Sequence, residues 1–161
     1  MPTLSSPRGP VYALLLGITG IALLRRRVVS VTVRGESMEP ALHDGERVLV
    51  LRGGRLAVGR VVVVERMVKR ERWTRRPFHR DIGPAQGAKL RWFIKRIAAM
   101  PGDPVPLEGV APHERTPGGT VPSGKLVLLG DNPSVSYDSR QAGYFPAERV
   151  LGTVLFRSQR P

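Results

Sequence analysis

The sequence predicts a mainly β domain preceded by one hydrophobic helix. Six short apolar runs are bounded by glycine, proline or Asp-Gly turns, as the strands of a sandwich or barrel are. Only one run, near the N-terminus, is a persuasive helix. A length of 161 residues suits one domain with an appendage. We therefore divide the chain into residues 1–27, a tail and hydrophobic helix, and residues 28–161, the β domain.

The N-terminal helix is predicted over Val11–Leu24, fourteen residues without a charge, and it ends at Arg25. At 1.5 Å per residue it would be about 21 Å long, less than the roughly 30 Å hydrocarbon core of a bilayer. A short membrane anchor, a buried core helix and a cleavable signal peptide all remain compatible with this run. No A-x-A cleavage pattern follows it, which disfavours the third alternative. We expect the membrane anchor.

The predicted strands follow in order along the rest of the chain. The first, Val28–Val33, alternates β-branched residues with polar ones. The others are Val48–Leu51, Val61–Val64, Trp92–Ala98, Leu126–Leu129 and Val150–Phe156. Residues 65–90 show neither a period of two nor one of 3.6, so we interpret them as a basic surface insertion.

The charge of the chain is strongly positive, with a formal value of +13. The segment from Arg60 to Arg96 contains twelve basic and three acidic residues, so its net charge is +9. Such a run is most often a solvated face, and contact with an anionic membrane is the next use that we favour. No aromatic-interleaved motif supports nucleic acid as the partner, so we expect anionic lipids and no nucleic acid.

The residue inventory excludes several chemistries. The chain has no cysteine, which removes disulfides, thiolate metal sites and a cysteine nucleophile. None of the three histidines, His43, His79 and His113, stands in a metal-ligand spacing or in a motif typical of a catalytic histidine–acid pair. We therefore expect no metal site and no cofactor.

A candidate nucleophile follows the first predicted strand. Ser37 lies between Gly35, which permits a tight bend, and Pro40, which cannot continue a central strand. The serine is thereby presented on a constrained turn at a strand end. Serines in turns are common, so this geometry alone is a weak indication of a nucleophile.

A serine nucleophile needs a base, and a neutral lysine is the alternative to histidine. Burial is required to lower the pKa of such an amine from about 10.4. Of the four lysines, Lys69 and Lys89 fall in the basic insertion and Lys125 in a turn, whereas Lys95 lies among apolar residues within a predicted strand. The alternative interpretation is that Lys95 is a solvated lysine at a strand edge, without a catalytic role.

A third segment combines a strand end with hydroxyls and charges. It begins at Gly130-Asp131-Asn132 and continues through Ser136 to Arg140. One interpretation is a polar turn capped by its own side chains. The other is a supporting shell whose hydroxyls and ion pairs hold a catalytic lysine in place.

Together the three segments resemble the type I signal peptidases, serine–lysine proteases that remove secretory leader peptides. The similarity lies in three boxes: Gly35–Leu42, Phe93–Asp103 and Gly130–Gly143. They occur in order, within a match from about residue 11 to 157, and three ordered boxes are far more specific than one. The resemblance implies a β-rich signal-peptidase-type catalytic domain over residues 28–161 that binds its substrate as an added strand.

The resemblance also implies roles. Ser37 attacks the scissile carbonyl, neutral Lys95 takes its proton, and Ser136 orients the lysine amine. Asp131 pairs with Arg96 and Asp138 with Arg140 as scaffolding ion pairs, while Met38 and Ile94 form walls of the substrate pocket. The backbone N–H of Ser37 donates to the oxyanion.

One departure concerns the oxyanion site. Some members of the family place a serine two positions before the nucleophile as a second donor, and this chain has Gly35 there. Losing one such donor costs roughly 3 kcal/mol in other enzymes. Pro133, which stands where many members have arginine, has no interpretation.

The expected substrates are precursor proteins with small residues at the first and third positions before the cut. We expect a monomer in the cell membrane, with a single pass and an extracytoplasmic catalytic domain. The positive-inside rule points the other way, because Arg25, Arg26 and Arg27 follow the anchor. The rival functions are a self-cleaving repressor-type serine–lysine protease and a non-enzymatic basic module that binds membrane or nucleic acid.

Overall fold

The computed structural model describes residues 27–66, 92–115 and 119–158. Within them the chain forms one sheet in which every neighbouring pair of strands is antiparallel. The strands are β1 (Val28–Thr32), β2 (Arg47–Arg52), β3 (Val61–Glu65), β4 (Trp92–Ala99), β5 (Lys125–Leu129), β6 (Phe145–Pro146) and β7 (Val150–Ser158). Their order across the sheet is β1-β2-β7-β3-β4-β5-β6. The mainly β prediction is therefore confirmed.

Helical structure in the described part is short. The helix α1 (Ser139–Ala142) follows the hydroxyl-rich loop, and two 3₁₀ turns cover Pro112–Glu114 and Ala147–Arg149. The helix begins at Asp138, whose carboxylate accepts from the Arg140 N–H, while the Gln141 side chain accepts from the Asp138 N–H. This reciprocal capping satisfies backbone donors that a helix start would otherwise leave unpaired.

The sheet buries apolar side chains on both faces. In β3, Val63 packs in a cluster with Val48 and Val50, while its neighbours Val62 and Val64 join a second cluster with β5 and Phe145. Successive side chains of a strand point to opposite faces, so a run of valines suits a strand that is covered twice. Register shifts occur in the β2–β7, β3–β7 and β4–β5 pairs, and such bulges bend a sheet.

All six predicted strands are confirmed, and their predicted ends differ from the observed ones by at most two residues. The two-residue β6 and the one-turn α1 were not predicted. One boundary was wrong: Glu65, placed in the basic insertion, is a buried residue of β3 because its carboxylate pairs with the buried Arg149. The rest of that insertion, from residue 67, and the predicted N-terminal helix lie outside the described residues. No helix in the described ranges is long and apolar enough to cross a membrane.

Candidate active site

The turn that carries Ser37 is fixed by hydrogen bonds after β1. The Gly45 N–H donates to the Val33 carbonyl at 3.1 Å, and the Gly35 N–H donates to the Asp44 Oδ1 at 2.7 Å. Gly35 has a φ of +80°, a conformation that residues with a side chain rarely adopt. The Ser37 side chain that follows is half-buried, at the edge of the apolar cluster that contains Met38.

The conformation of Gly35 bears on the missing oxyanion donor. Its N–H already donates to the Asp44 carboxylate, and a side chain added at this position would point into open space. A serine at position 35 would therefore meet no steric obstacle, but it would hold a strained positive φ. The backbone in this turn is suited to glycine rather than to serine.

Lys95 lies in the middle of β4, between β3 and β5, with Val62 opposite it in the neighbouring strand. Its side chain is 1% exposed, which is exceptional for an amine. Phe93, two residues earlier on the same face of the strand, places its ring centroid 5.4 Å from the Lys95 Nζ. The prediction that Lys95 is buried among apolar residues is confirmed.

Three segments meet at the Lys95 amine. The Nζ lies 3.0 Å from the Ser37 Oγ and 2.9 Å from the Ser136 Oγ. These serines are 58 and 41 residues away from the lysine along the chain, so the fold creates the contact. The Lys95 amine is thus within hydrogen-bond distance of both serines that the sequence singled out for chemistry.

The orientation of the amine follows from the hydrogen bond that Ser136 makes behind it. The Ser136 Oγ donates its hydrogen to the Asp138 Oδ2 at 2.6 Å. An ionised carboxylate can only accept, so the Ser136 oxygen is left to accept from an N–H of Lys95. One N–H of a neutral amine is then committed to Ser136, which leaves its lone pair for the Ser37 hydroxyl.

Asp138 is fully buried and heavily hydrogen-bonded. It accepts from the Gly130 N–H and pairs bidentately with Arg140, at 3.0 and 2.6 Å. Burial alone would raise the pKa of this carboxyl, but the bonds from Arg140, Gly130 and Ser136 outweigh it and hold the pKa below its usual range. Asp138 is therefore a fixed anion at neutral pH.

Gly130 lets the backbone after β5 approach Ser37 and Ser136 closely. A Cβ at this position would lie 2.6 Å from the Ser37 carbonyl oxygen and would overlap the Ser136 hydroxyl. The neighbouring Asn132 N–H donates to the same Ser37 carbonyl at 3.1 Å. The backbone at the end of β5 therefore touches both serines, and only glycine fits there.

The pKa of the Lys95 amine is lowered to about 8. Burial is the largest cause, since removal from water disfavours the charged form. The negative charge of Asp138 opposes the shift, and the positive charge of Arg140 adds to it. A substantial fraction of this lysine is thus neutral, and able to accept a proton, at mildly alkaline pH.

Arg96 and Asp131 form the other predicted ion pair, on the face of β4 opposite to Lys95. The guanidinium donates to both carboxylate oxygens, at 2.8 and 2.6 Å, and to the Gly59 carbonyl at 2.7 Å. Hydrogen bonding to Asp131 raises the pKa of Arg96. The pair ties β4 to the loop that carries Ser136.

The two predicted pocket residues belong to one apolar cluster. Met38 is 1% exposed and Ile94 is 8% exposed, so each offers little surface to a ligand in this structure. Their role as pocket walls stays a prediction. In the described part of the chain, no three histidine or acidic side chains are grouped so that they could hold a metal ion.

Sequence reasoning missed two contacts of Phe93. The Phe93 ring contacts that of Tyr137 at a centroid distance of 6.2 Å, and the Arg66 guanidinium lies 5.4 Å from the same Phe93 centroid. The aromatic residue two positions before Lys95 was a usable signal, because i and i+2 share a strand face. No local pattern links Arg66 or Tyr137 to that face.

Comparisons with known proteins identify the family of this chain. The family model for "Signal peptidase, peptidase S26" matches residues 10–111 and 107–158. Signal peptidase IB of Staphylococcus aureus (strain N315) is 28% identical over 168 aligned positions, which cover 81% of this chain and 77% of the relative. Probable signal peptidase I-1 of Synechocystis is 29% identical over 168 positions, covering 89% and 79%. The chain therefore belongs to the signal peptidase family, peptidase S26.

Proposed function

We propose that this protein is a membrane-anchored serine endopeptidase that removes N-terminal signal peptides from exported precursors, with Ser37 as nucleophile and Lys95 as general base. The observation that carries the proposal is the 3.0 Å contact between a buried lysine amine and the Ser37 hydroxyl. A nucleophile and a base within hydrogen-bond reach, with the base oriented by a third group, is the arrangement that covalent hydrolysis by a serine requires.

Acylation begins when the Ser37 Oγ attacks the carbonyl carbon of the scissile peptide. A bond forms between Oγ and that carbon, the hydroxyl proton passes to the neutral Lys95 Nζ, and the carbonyl oxygen becomes an oxyanion. The oxyanion then collapses and the carbon–nitrogen bond breaks, while the Lys95 ammonium returns its proton to the leaving amine.

Deacylation repeats these roles with water. The neutral Lys95 amine removes a proton from a water molecule, whose oxygen attacks the acyl carbon of the ester on Ser37. The ester bond breaks, the proton returns to the Ser37 Oγ, and the signal peptide leaves with a new C-terminal carboxylate. No cofactor or metal enters either half of the reaction.

The oxyanion needs donors, and the Ser37 N–H is the one that we assign. Among the described residues this N–H has no hydrogen-bond partner, so it is available to the substrate. Gly35 supplies no side-chain donor, which removes an interaction worth roughly 3 kcal/mol in other serine hydrolases.

We further propose that residues 1–27 are the tail and single-pass anchor, that residues 28–161 are the extracytoplasmic peptidase domain, and that the protein is a monomer. The net charge of +9 between Arg60 and Arg96 suits contact with anionic lipids. Met38 and Ile94 are proposed to admit only small side chains before the cut. A reporter fused at Pro161 that is active only in the cytoplasm would overturn the extracytoplasmic placement of the peptidase domain.

The proposal is tested by incubating the purified full chain, in detergent micelles, with a precursor that carries an A-x-A cleavage site. We expect one cut after that site, read by N-terminal sequencing of the mature product, and no cut by Ser37→Ala. Cleavage of only the enzyme's own chain would favour the self-cleaving protease. No peptidase activity together with salt-sensitive nucleic-acid binding would favour the basic module.

A further inference from the structure

Three side chains have no part in the dyad mechanism: Phe93, which contacts Lys95, and Arg66 and Tyr137, which contact Phe93. Tyr137 is 51% exposed and Phe93 is half-buried, and their rings are tilted by 43° at 6.2 Å, a favourable aromatic contact. The exposed Arg66 guanidinium lies within cation–π distance of the same Phe93 ring. Together Arg66, Phe93 and Tyr137 form a surface patch of two aromatic rings and one positive charge, which we call the aromatic ledge.

The position of the aromatic ledge relative to the Lys95 amine indicates which half of a substrate it meets. In the proposed mechanism the Lys95 Nζ gives a proton to the leaving nitrogen, so that nitrogen must come within about 3 Å of it. The leaving nitrogen belongs to the first residue after the cut. On one side the amine is closed by Ser136, against which the Gly130 backbone packs. The Phe93 ring lies beside the amine on another side. Tyr137 and Arg66 contact that ring in turn.

We propose that Arg66, Phe93 and Tyr137 form the binding subsite for the first two residues of the mature protein, and that Arg66 there favours a carboxylate and disfavours a cation. The inference rests on the proposed function and adds a specificity on the leaving side of the cut. Phe93 and Tyr137 supply apolar contact area for the departing chain. Arg66 supplies the charge discrimination, which at an exposed position is worth a factor of about three to five.

The test uses peptides with one leader half, ending in an A-x-A site, and with Glu, Gln or Lys at the first two positions after the cut. For the wild-type protein we expect kcat/KM to fall in the order Glu, Gln, Lys, by about threefold at each step at low salt. Arg66→Glu should reverse that order. The matched control is Lys125→Glu, which reverses a charge at the end of β5 remote from Gly130 and should preserve the wild-type order.

A second measurement distinguishes the leaving side from the leader side. All of these peptides give the same acyl-enzyme, so a subsite for the mature residues acts on acylation and not on deacylation. We therefore expect Tyr137→Ala and Arg66→Glu to change kcat/KM for the peptides. Both should hydrolyse an activated ester of the same leader half at the wild-type deacylation rate. A changed deacylation rate would place the aromatic ledge on the leader side and overturn the inference.

The remaining outcomes separate this inference from the proposed function. If no peptide is cleaved, or if cleavage survives Ser37→Ala, the proposed function is wrong. If cleavage requires Ser37 but Arg66→Glu keeps the wild-type order, the function stands and the subsite is wrong. An equal reversal in Lys125→Glu would show a long-range effect of net charge, and it would also overturn the assignment to Arg66.

Discussion

Among the described residues, two long basic side chains are buried, and they have different neighbours. Arg149, 3% exposed, precedes β7 and donates from its Nη1 to the Glu65 Oε2 at 2.9 Å. Lys95, 1% exposed, has two serine hydroxyls and an aromatic ring around its amine. Among the described residues no carboxylate lies within 4 Å of the Lys95 Nζ.

The difference shows what burial means for each cation. A guanidinium keeps its charge at any workable pH, so its burial is tolerated when a carboxylate contacts it, and the result is a structural ion pair. An amine that is buried among hydroxyls can lose its proton instead. The free-energy cost of burying its charged form then appears as a lowered pKa of the amine. Burial alone therefore does not distinguish a structural cation from a candidate base, whereas the groups that contact the cation do.

Replacing Lys95 by arginine should have the largest effect. The variant keeps the positive charge but cannot act as a base, so we expect kcat/KM for precursor cleavage to fall by at least about a thousandfold. Lys125→Arg is the matched control and should keep nearly full activity. Thermal unfolding checks that Lys95→Arg is folded. Retained activity in that variant would remove Lys95 from the mechanism.

Breaking the structural pair should instead lower stability. Glu65→Gln removes the carboxylate that the buried Arg149 guanidinium contacts, at an expected cost of about 3 kcal/mol in the free energy of unfolding. Urea denaturation measures that cost. Under conditions where the variant is folded, the pH profile of its activity should match the wild type. An altered profile would mean that this pair is coupled to the dyad.

A smaller effect is expected for Asp138→Asn. The negative charge of Asp138 raises the pKa of Lys95, so its loss should move the acid limb of the pH–activity profile to lower pH. Activity at the plateau should fall about tenfold, because asparagine has only one acceptor oxygen for the hydrogen bonds from Ser136, Gly130 and Arg140 that two oxygens now accept. The charge of Asp131 also raises the pKa of Lys95, but less than that of Asp138, so Asp131→Asn should shift the profile in the same direction by a smaller amount. A shift to higher pH in Asp138→Asn would contradict the assigned electrostatics.

The strands were predictable from the sequence because each has its own β-branched run and flanking turn residues. Glu65 was misplaced, since an acid at the end of an apolar run looks like the start of a surface loop. Its partner, Arg149, is 84 residues away and leaves no local pattern. The helix α1 did leave one, because Asp138 and Gln141 have the spacing of a capping box. The two-residue β6 is too short for any period to appear.

The candidate site was predictable where a residue type is chemically improbable in its surroundings. A lysine among apolar residues is costly, and that cost made Lys95 stand out from the other three lysines. The contact of Arg66 and Tyr137 with Phe93 had no such signal. It depends on how the end of β3 and the loop before Asp138 pack against β4, which only the tertiary structure determines.

The protonation of Lys95 is most directly tested by an NMR titration of the wild-type protein with ¹³Cε-labelled lysine. The chain has only four lysines, and Lys95→Arg assigns the signal in question. We predict that this signal titrates with a pKa of about 8 and that kcat/KM rises with pH through the same midpoint. If the Lys95 signal instead titrates near the ordinary lysine pKa of about 10.4, Lys95 is charged at neutral pH and is not the base for Ser37.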